Sequence, residues 1–181
     1  MFSFFLNINY PLCNSFYFWY NFNHINRFCV FIFKFLISIM VKILMGTPIC
    51  NLYEYCLDKY LEALKIQSMK NDILLVDNSE DIDFVKKLEN FGMRTIHKDP
   101  SKNRRETVKD CRNFMIDIAI KNNYDYIFFV DADTIPPFDA LEKLLFAKKD
   151  IVSGVVFNNY QKEGRIIQLP ALWTWANPKR I

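Results

Sequence analysis

The sequence predicts an α/β fold built around an open, mostly parallel sheet. Short apolar runs alternate along the chain with segments in which apolar residues recur at helical spacing. The runs are apolar at consecutive positions, which is typical of strands that are buried on both faces in a parallel sheet. Polar residues follow several runs directly, and in such sheets ligands bind beyond the carboxyl ends of the strands.

The first half of the predicted domain contains two strand–helix units. VKILMGT (41–47) is predicted as a strand, and residues 53–65 as a helix because their apolar positions share one face. DILLVD (72–77) is predicted as a second buried strand. Residues 83–91 form a short helix that Gly92 ends, since glycine favours the position just after a helix.

The second half repeats this alternation. Residues 93–97 are predicted as an edge strand, and residues 106–122 as a helix that buries Cys111 and Met115. The run 126–130 is the next buried strand. A helix over 138–147 follows, for which Pro136 and Pro137 set the backbone angle. IVSGVVF (151–157) is predicted as the final strand.

Residues 1–39 form an apolar leader that differs from the rest of the chain. It is rich in Phe, Tyr, Ile and Asn and contains no acidic residue. Its best membrane candidate, 28–44, is interrupted by Lys34 and falls short of the about 20 apolar residues that span a bilayer. The leader is interpreted as a membrane anchor, as an apolar element packed on the domain, or as untranslated sequence upstream of Met40. The third interpretation is favoured, so we expect residues 1–39 to be dispensable for folding.

Composition excludes several classes of function. Lys and Arg number 23 against 20 Asp and Glu, so the near balance gives no basic surface for nucleic acid. The five cysteines include no C-x-x-C pair, which favours reduced thiols and a cytoplasmic location, with membrane association only through residues 1–39. With His24 and His97 alone, a histidine metal site is not expected. Neither G-x-G-x-x-G nor a P-loop occurs, so any phosphate must be bound by a metal ion or by Arg and Lys.

VDADTIPP (130–137) carries the strongest functional signal. Positions two apart on a strand project to the same side, so Asp131 and Asp133 are predicted to lie together at the end of their strand. Two neighbouring carboxylates repel each other and are costly to desolvate, so a positive group is expected between or above them. Mg²⁺ and Mn²⁺ prefer carboxylate and phosphate oxygens, and such an ion would bridge the aspartates to a diphosphate.

These residues resemble a known family. VDADTIPP after a buried strand, VDNS at the end of the second strand and GTP after the first are similar to the donor-binding half of nucleotide-sugar glycosyltransferases with the GT-A fold. The resemblance is closest to the inverting family 2 enzymes and covers residues 40 to about 157. It implies that residues 40–181 are a GT-A-like domain that binds a nucleoside-diphosphate sugar and is incomplete at its C-terminus.

The resemblance also implies roles for individual residues. Thr47 and Asp77 would contact the base and the ribose, and Arg105, with Arg104 or Arg112, would lie over the base or the diphosphate. Asp131 would contact the ribose or the metal's water shell, and Asp133 would bind Mn²⁺ or Mg²⁺ directly. The acceptor (glycan, lipid or protein) and the catalytic residue remain unknown.

Structural interpretations of the same residues stay open. Asp131 and Asp133 could cap the following helix, and Asp77 could serve only the turn formed with Asn78 and Ser79. His97, on the predicted edge strand, is interpreted as structural rather than catalytic.

Two other functions are carried as alternatives. A haloacid dehalogenase-type phosphohydrolase also has Asp-x-Asp after an apolar strand, but its motif follows the first strand of the domain. The other alternative is a truncated donor-binding fragment without activity. After residue 157 the chain holds one acidic residue, Glu163, so the general base of an inverting transferase is not assigned, and little or no transfer is expected from these 181 residues alone.

Overall fold

A six-stranded sheet forms the centre of the protein. The computed structural model describes residues 4–7, 41–162 and 165–170. The strands of the sheet are β1 (Phe4–Asn7), β2 (Ile43–Ile49), β3 (Asp72–Asp77), β4 (Thr95–His97), β5 (Tyr126–Phe129) and β6 (Ile151–Ser153). Their spatial order is β4-β3-β2-β5-β1-β6. A separate two-stranded sheet pairs β7 (Phe157–Lys162) with β8 (Arg165–Pro170).

In the part of the chain that the structure describes, four α-helices connect the strands. They are α1 (Leu57–Lys65), α2 (Asp83–Asn90), α3 (Arg104–Lys121) and α4 (Ala140–Phe146), and a 3-10 helix (Asn51–Cys56) precedes α1. The alternation of strands and helices from residue 43 onward confirms the predicted order of elements. Among the described residues, no helix has both the length and the apolar character that crossing a membrane requires.

The pairing of the strands confirms an open, mostly parallel α/β sheet. β2 pairs in parallel with both β3 and β5, and β3 pairs in parallel with β4. Because these four strands run in one direction, the segments that follow β2, β3, β4 and β5 all emerge at the same edge. This edge is where the candidate site lies.

The two faces of the sheet bury two hydrophobic cores. Helices α1, α2 and α4 cover one face, where Tyr60, Leu88 and Leu141 pack against residues such as Met45. Helix α3 covers the other face. There Met115 packs against the strand side chains that project to that face, including Leu44 and Phe129. Strands β2 and β5 and most of β3 are therefore buried on both sides, as their apolar sequences predicted, whereas β4 is half-buried and β6 is largely exposed.

Several predicted elements have different bounds in the structure. The predicted strand 151–157 ends at Ser153, because Gly154 interrupts it, and Phe157 instead begins β7. The predicted helix 53–65 is divided into the 3-10 helix and α1. The predicted helix 138–147 begins only at Ala140.

The leader contributes a strand that the sequence did not predict. β1 lies between β5 and β6 and pairs antiparallel with both. This pairing agrees with the interpretation of the leader as an element packed on the domain, and it differs from the expectation that the fold begins at Met40. The rest of the leader, including residues 28–40 of the membrane candidate, lies outside the described residues.

We predict that Gly46→Ala destabilises the fold. A Cβ at Gly46 would lie 2.6 Å from Met115 Sδ, and Met115 is fully buried between α3 and the sheet. Overpacking of a closed core costs about 1–3 kcal/mol. Urea denaturation should show this loss for Gly46→Ala and a change within about 0.5 kcal/mol for Gly154→Ala, since a Cβ there meets nothing within 4 Å. Equal midpoints for the two variants would contradict the close packing of α3 on β2.

We also predict that Phe5→Pro destabilises the protein. Phe5 is paired with Phe128 of β5 and with Val152 of β6, so its backbone N–H is directed at one of two neighbouring strands. Proline removes that donor, and a lost ladder bond costs about 1–3 kcal/mol. Denaturant midpoints of the full chain, of Phe5→Pro and of a chain that begins at Met40 test this. Identical midpoints would show that residues 1–39 are dispensable, as the sequence suggested.

Candidate functional site

A cavity of about 890 Å³ opens at the edge where the parallel strands end. One wall follows β2 and includes residues 48–53, and a second follows β3 and includes residues 78–80. Asp131 and Ala132 also line the cavity, and the segment after β4 and the first turns of α3 supply Pro100, Ser101, Asn103, Arg104, Arg105, Thr107, Val108 and Arg112. The volume lies within the range of pockets that hold nucleotide-sized ligands.

The N-terminus of α3 faces this cavity and makes it attractive to anions. Asn103 caps the helix, because its side-chain oxygen accepts a hydrogen bond from Glu106 N at 3.0 Å. Arg104 and Arg105 occupy the first turn and line the cavity. The helix is 18 residues long, so its dipole adds partial positive charge to that of the two arginines.

The structure places Arg105 at the cavity as predicted, and it gives Arg104 a partner that the sequence did not indicate. Arg104 Nη2 donates to Tyr53 Oη at 2.7 Å, which joins the wall after β2 to the start of α3. Arg105 is exposed and contributes to the lining. The Tyr53 side chain could not be identified from sequence, because it lies in a segment predicted only as part of a helix.

Thr47 lies beneath the cavity rather than in it. The residue is fully buried, and its hydroxyl is 2.5 Å from Tyr60 Oη on α1. The next two residues, Pro48 and Ile49, are the ones that reach the cavity lining. The predicted direct contact between Thr47 and a nucleotide base is therefore not retained, because its side chain is occupied inside the core.

Asp77 is also buried, and its carboxylate is hydrogen-bonded to neighbouring residues of the protein. Its Oδ1 accepts hydrogen bonds from Ser79 Oγ at 2.6 Å and Ser79 N at 3.1 Å, and its Oδ2 is 2.7 Å from His97 Nδ1. Asp77 is not exposed at all, whereas Asn78 and Ser79 line the cavity. Asp77 therefore lies behind the cavity wall that the turn after β3 forms, and its contact with a ribose stays a prediction.

Asp131 lines the cavity and meets the positive group that the sequence predicted. Arg112 Nη2 on α3 donates to Asp131 Oδ1 at 2.7 Å, and the guanidinium lies 5.7 Å from the centroid of the Phe129 ring. Both side chains of this ion pair are about four-fifths buried, with 22% and 19% exposed. Arg112 thus neutralises Asp131 where β5 ends.

Asp133 has a different environment from Asp131. Strand β5 ends at Phe129, and a turn closed by Thr134 N to Asp131 O at 2.9 Å carries both aspartates. Both aspartates therefore lie beyond the strand. The prediction that they project to the same side of a strand is wrong. Asp133 Oδ1 is buried without a hydrogen-bond partner among the described residues. Burial, followed by the charge of Asp131, raises the pKa of the Asp133 carboxyl, and Arg104 opposes the rise.

This orphaned oxygen is the feature that fits a metal ion. A divalent cation would satisfy Asp133 Oδ1 and relieve the repulsion from Asp131. Within the part of the chain that the structure describes, no group of three or more His, Cys, Asp or Glu side chains could enclose an ion. Mg²⁺ needs only one or two protein carboxylates where phosphates complete its shell, so a ligand-dependent ion suits this geometry.

Comparisons with known proteins give limited information. No family model matches the chain, and no curated protein matches it. Among solved structures, S. aureus TarS is 21% identical, with a TM-score of 0.41 over 59% of this chain and 19% of TarS. A 4-diphosphocytidyl-2C-methyl-D-erythritol synthase is 19% identical, with a TM-score of 0.48 over 71% of this chain and 68% of that protein. The present chain thus spans about a fifth of TarS, and neither TM-score is high enough to carry an argument.

We predict that the Arg112–Asp131 pair stabilises the site cooperatively. Removing either partner leaves the other group mostly buried without its counter-charge, which costs about 1–3 kcal/mol. Denaturation of Arg112→Gln, Asp131→Asn and the double variant should give a coupling free energy of about 1 kcal/mol or more. Arg105→Gln, at an exposed position, is the control and should change stability little. Strict additivity of the two single changes would contradict the pairing.

Proposed function

We propose that this chain binds a nucleoside-diphosphate sugar together with Mn²⁺ or Mg²⁺ and supports glycosyl transfer. The observation that carries the proposal is an anion-attracting cavity at one edge of a parallel sheet, together with the unsatisfied carboxylate of Asp133, which does not line the cavity but lies in the same turn as Asp131 and Ala132, which do. The family resemblance of VDADTIPP, VDNS and GTP supports the same chemistry.

The cavity accounts for recognition of the nucleotide. Backbone and side-chain groups of Asn51, Asn78 and Ser79 offer hydrogen-bond donors and acceptors to a base or ribose. Arg104 and Arg105, at the N-terminus of α3, offer charge to a diphosphate. Charge from the helix and the arginines replaces the glycine-rich loop that the sequence lacks.

Asp133 would bind the metal ion directly, and Asp131 beside it would contact the water shell of the ion. Asp131 keeps its pairing with Arg112, whereas Asp133 Oδ1 has no hydrogen-bond partner among the described residues, which makes Asp133 the better candidate for a direct metal ligand. When bound, the ion neutralises charge on the diphosphate and makes it a better leaving group.

The proposed transfer is a single displacement with inversion, an extension that rests on the family resemblance. The acceptor hydroxyl attacks the anomeric carbon, the bond from that carbon to the diphosphate breaks, and the hydroxyl proton passes to a general base. Glu163, the acidic residue considered for that base, lies outside the described residues. The anomeric configuration of an isolated product would check the inversion.

We predict that sugar-nucleotide binding depends on the metal through Asp133. Isothermal titration with UDP-glucose and GDP-mannose should show affinity in Mn²⁺ that falls at least about tenfold in EDTA. Asp133→Asn should lose the metal-dependent part, since it removes the charged ligand. Asp139→Asn is a matched control, because this carboxylate on the same segment pairs with Lys143 at the surface. Absent or metal-independent binding in a folded sample would refute the proposal.

A further inference from the structure

A chain of hydrogen bonds links the edge strand β4 to the cavity through the interior of the protein. His97 Nδ1 lies 2.7 Å from Asp77 Oδ2, and Ser79 Oγ donates to Asp77 Oδ1 at 2.6 Å. Asn51 N in turn donates to Ser79 Oγ at 2.9 Å. Ser79 and Asn51 line the cavity, but His97 does not. The imidazole is therefore connected to the cavity without touching a ligand there.

Backbone hydrogen bonds flank Asp77 on both sides. Lys98 N donates to the backbone carbonyl oxygen of Asp77 at 2.9 Å, and Asn78 N donates to Ile49 O at 2.9 Å. The segments that follow β2, β3 and β4 are therefore joined next to Asp77, while its carboxylate connects the turn after β3 to His97 of β4.

His97 is the partner of Asp77 that can carry a positive charge. Ser79 provides neutral donors, and the Asp77 side chain is fully buried, so its charge depends on the imidazole for neutralisation. The titratable groups that face the ring are Asp77 from β3 and Asp99 from the following loop, at 2.7 and 3.4 Å. Lys98, its neighbour in sequence, directs its ammonium to the Phe114 ring of α3 at 5.5 Å.

We propose that His97 is a positioning residue for the donor site, and that its protonation tightens the Asp77–Ser79–Asn51 chain and with it the binding of the sugar nucleotide. This inference rests on the proposed function for its ligand, but the chain of contacts itself can be tested without one. Protonated His97 pairs with the buried carboxylate as a charge-assisted donor, whereas the neutral ring leaves that charge uncompensated.

The direction of the pH dependence follows from the geometry. The hydrogen bond that the His97 ring donates to the Asp77 carboxylate raises the pKa of His97 above its ordinary value of 6.5. A group whose pKa is raised by folding stabilises the folded state fully at a pH below its unfolded-state pKa. This stabilisation is lost as the pH rises through its folded-state pKa. The ordered cavity is therefore favoured below about pH 6.5 and relaxes at higher pH.

The first experiment uses the full chain without any nucleotide. In two-dimensional NMR between pH 5.5 and 9, the backbone amides of Ser79 and Asn51 should titrate with the same midpoint as the His97 ring, and that midpoint should lie above 6.5. In His97→Asn the side-chain amide keeps a donor near the Nδ1 position but cannot titrate, so both amide signals should lose this transition. Amides that titrate unchanged in His97→Asn would overturn the proposal, whether or not a nucleotide binds.

The second experiment measures the affinity for UDP-glucose in Mn²⁺ at pH 6.0 and 8.5. The wild type should bind about three- to tenfold more weakly at pH 8.5. His97→Asn should show an affinity that is nearly independent of pH, and His97→Ala should bind weakly at both values. Asp99→Asn is the comparison variant: Asp99 is 97% exposed, and its contact with the other ring nitrogen also raises the pKa of His97, so the variant should still bind in a pH-dependent way, with its midpoint at lower pH.

The outcomes separate the two proposals. If no sugar nucleotide binds while the amides follow His97, the proposed function fails and the positioning chain stands. If nucleotide binds with the same pH dependence in wild type, His97→Asn and Asp99→Asn, the positioning role is wrong and the proposed function stands.

Discussion

Every carboxylate that leaves water at the ends of these strands must be neutralised, and this requirement organises the whole edge of the sheet. Asp77 is paired with His97 through one carboxylate oxygen and accepts hydrogen bonds from Ser79 through the other. Asp131 is neutralised by Arg112, which reaches it from α3. In each case the partner comes from a different element, so satisfying the charge also fixes the relative positions of neighbouring loops.

Asp133 is the exception, and its difference from Asp131 is a consequence of position. Helix α3 packs on one face of β5 and brings Arg112 to the first aspartate, but the turn at 131–134 directs the second one away from that arginine. Its buried oxygen remains without a partner among the described residues, and its pKa is raised. An unsatisfied acceptor is costly to keep, so its presence beside an anion-attracting cavity is an argument for a ligand.

The sequence predicted the fold class and the order of elements because hydrophobic periodicity is a local property. It predicted a cation near Asp131, since the cost of paired carboxylates is independent of the fold. It could not predict that Thr47 faces Tyr60 or that Asp77 faces His97, because both contacts depend on how separate elements pack. It also missed β1, whose pairing with β5 joins residues more than a hundred positions apart.

The charged groups of the site are therefore of two kinds, those buried in the protein and those that face the cavity. Asp77 is fully buried and unavailable to a ligand, whereas Asp131 is paired with Arg112 and still lines the cavity. The arginines at the start of α3 and the free oxygen of Asp133 are the groups whose electrostatic energy a bound diphosphate and cation would improve. A chain with four glycines has no glycine-rich loop to cradle phosphates, so under the proposed function recognition would depend on this charge arrangement and on the network that keeps the loops in place. An imidazole on the edge strand, outside the cavity, would then influence what the cavity holds through the hydrogen bonds of Asp77, Ser79 and Asn51.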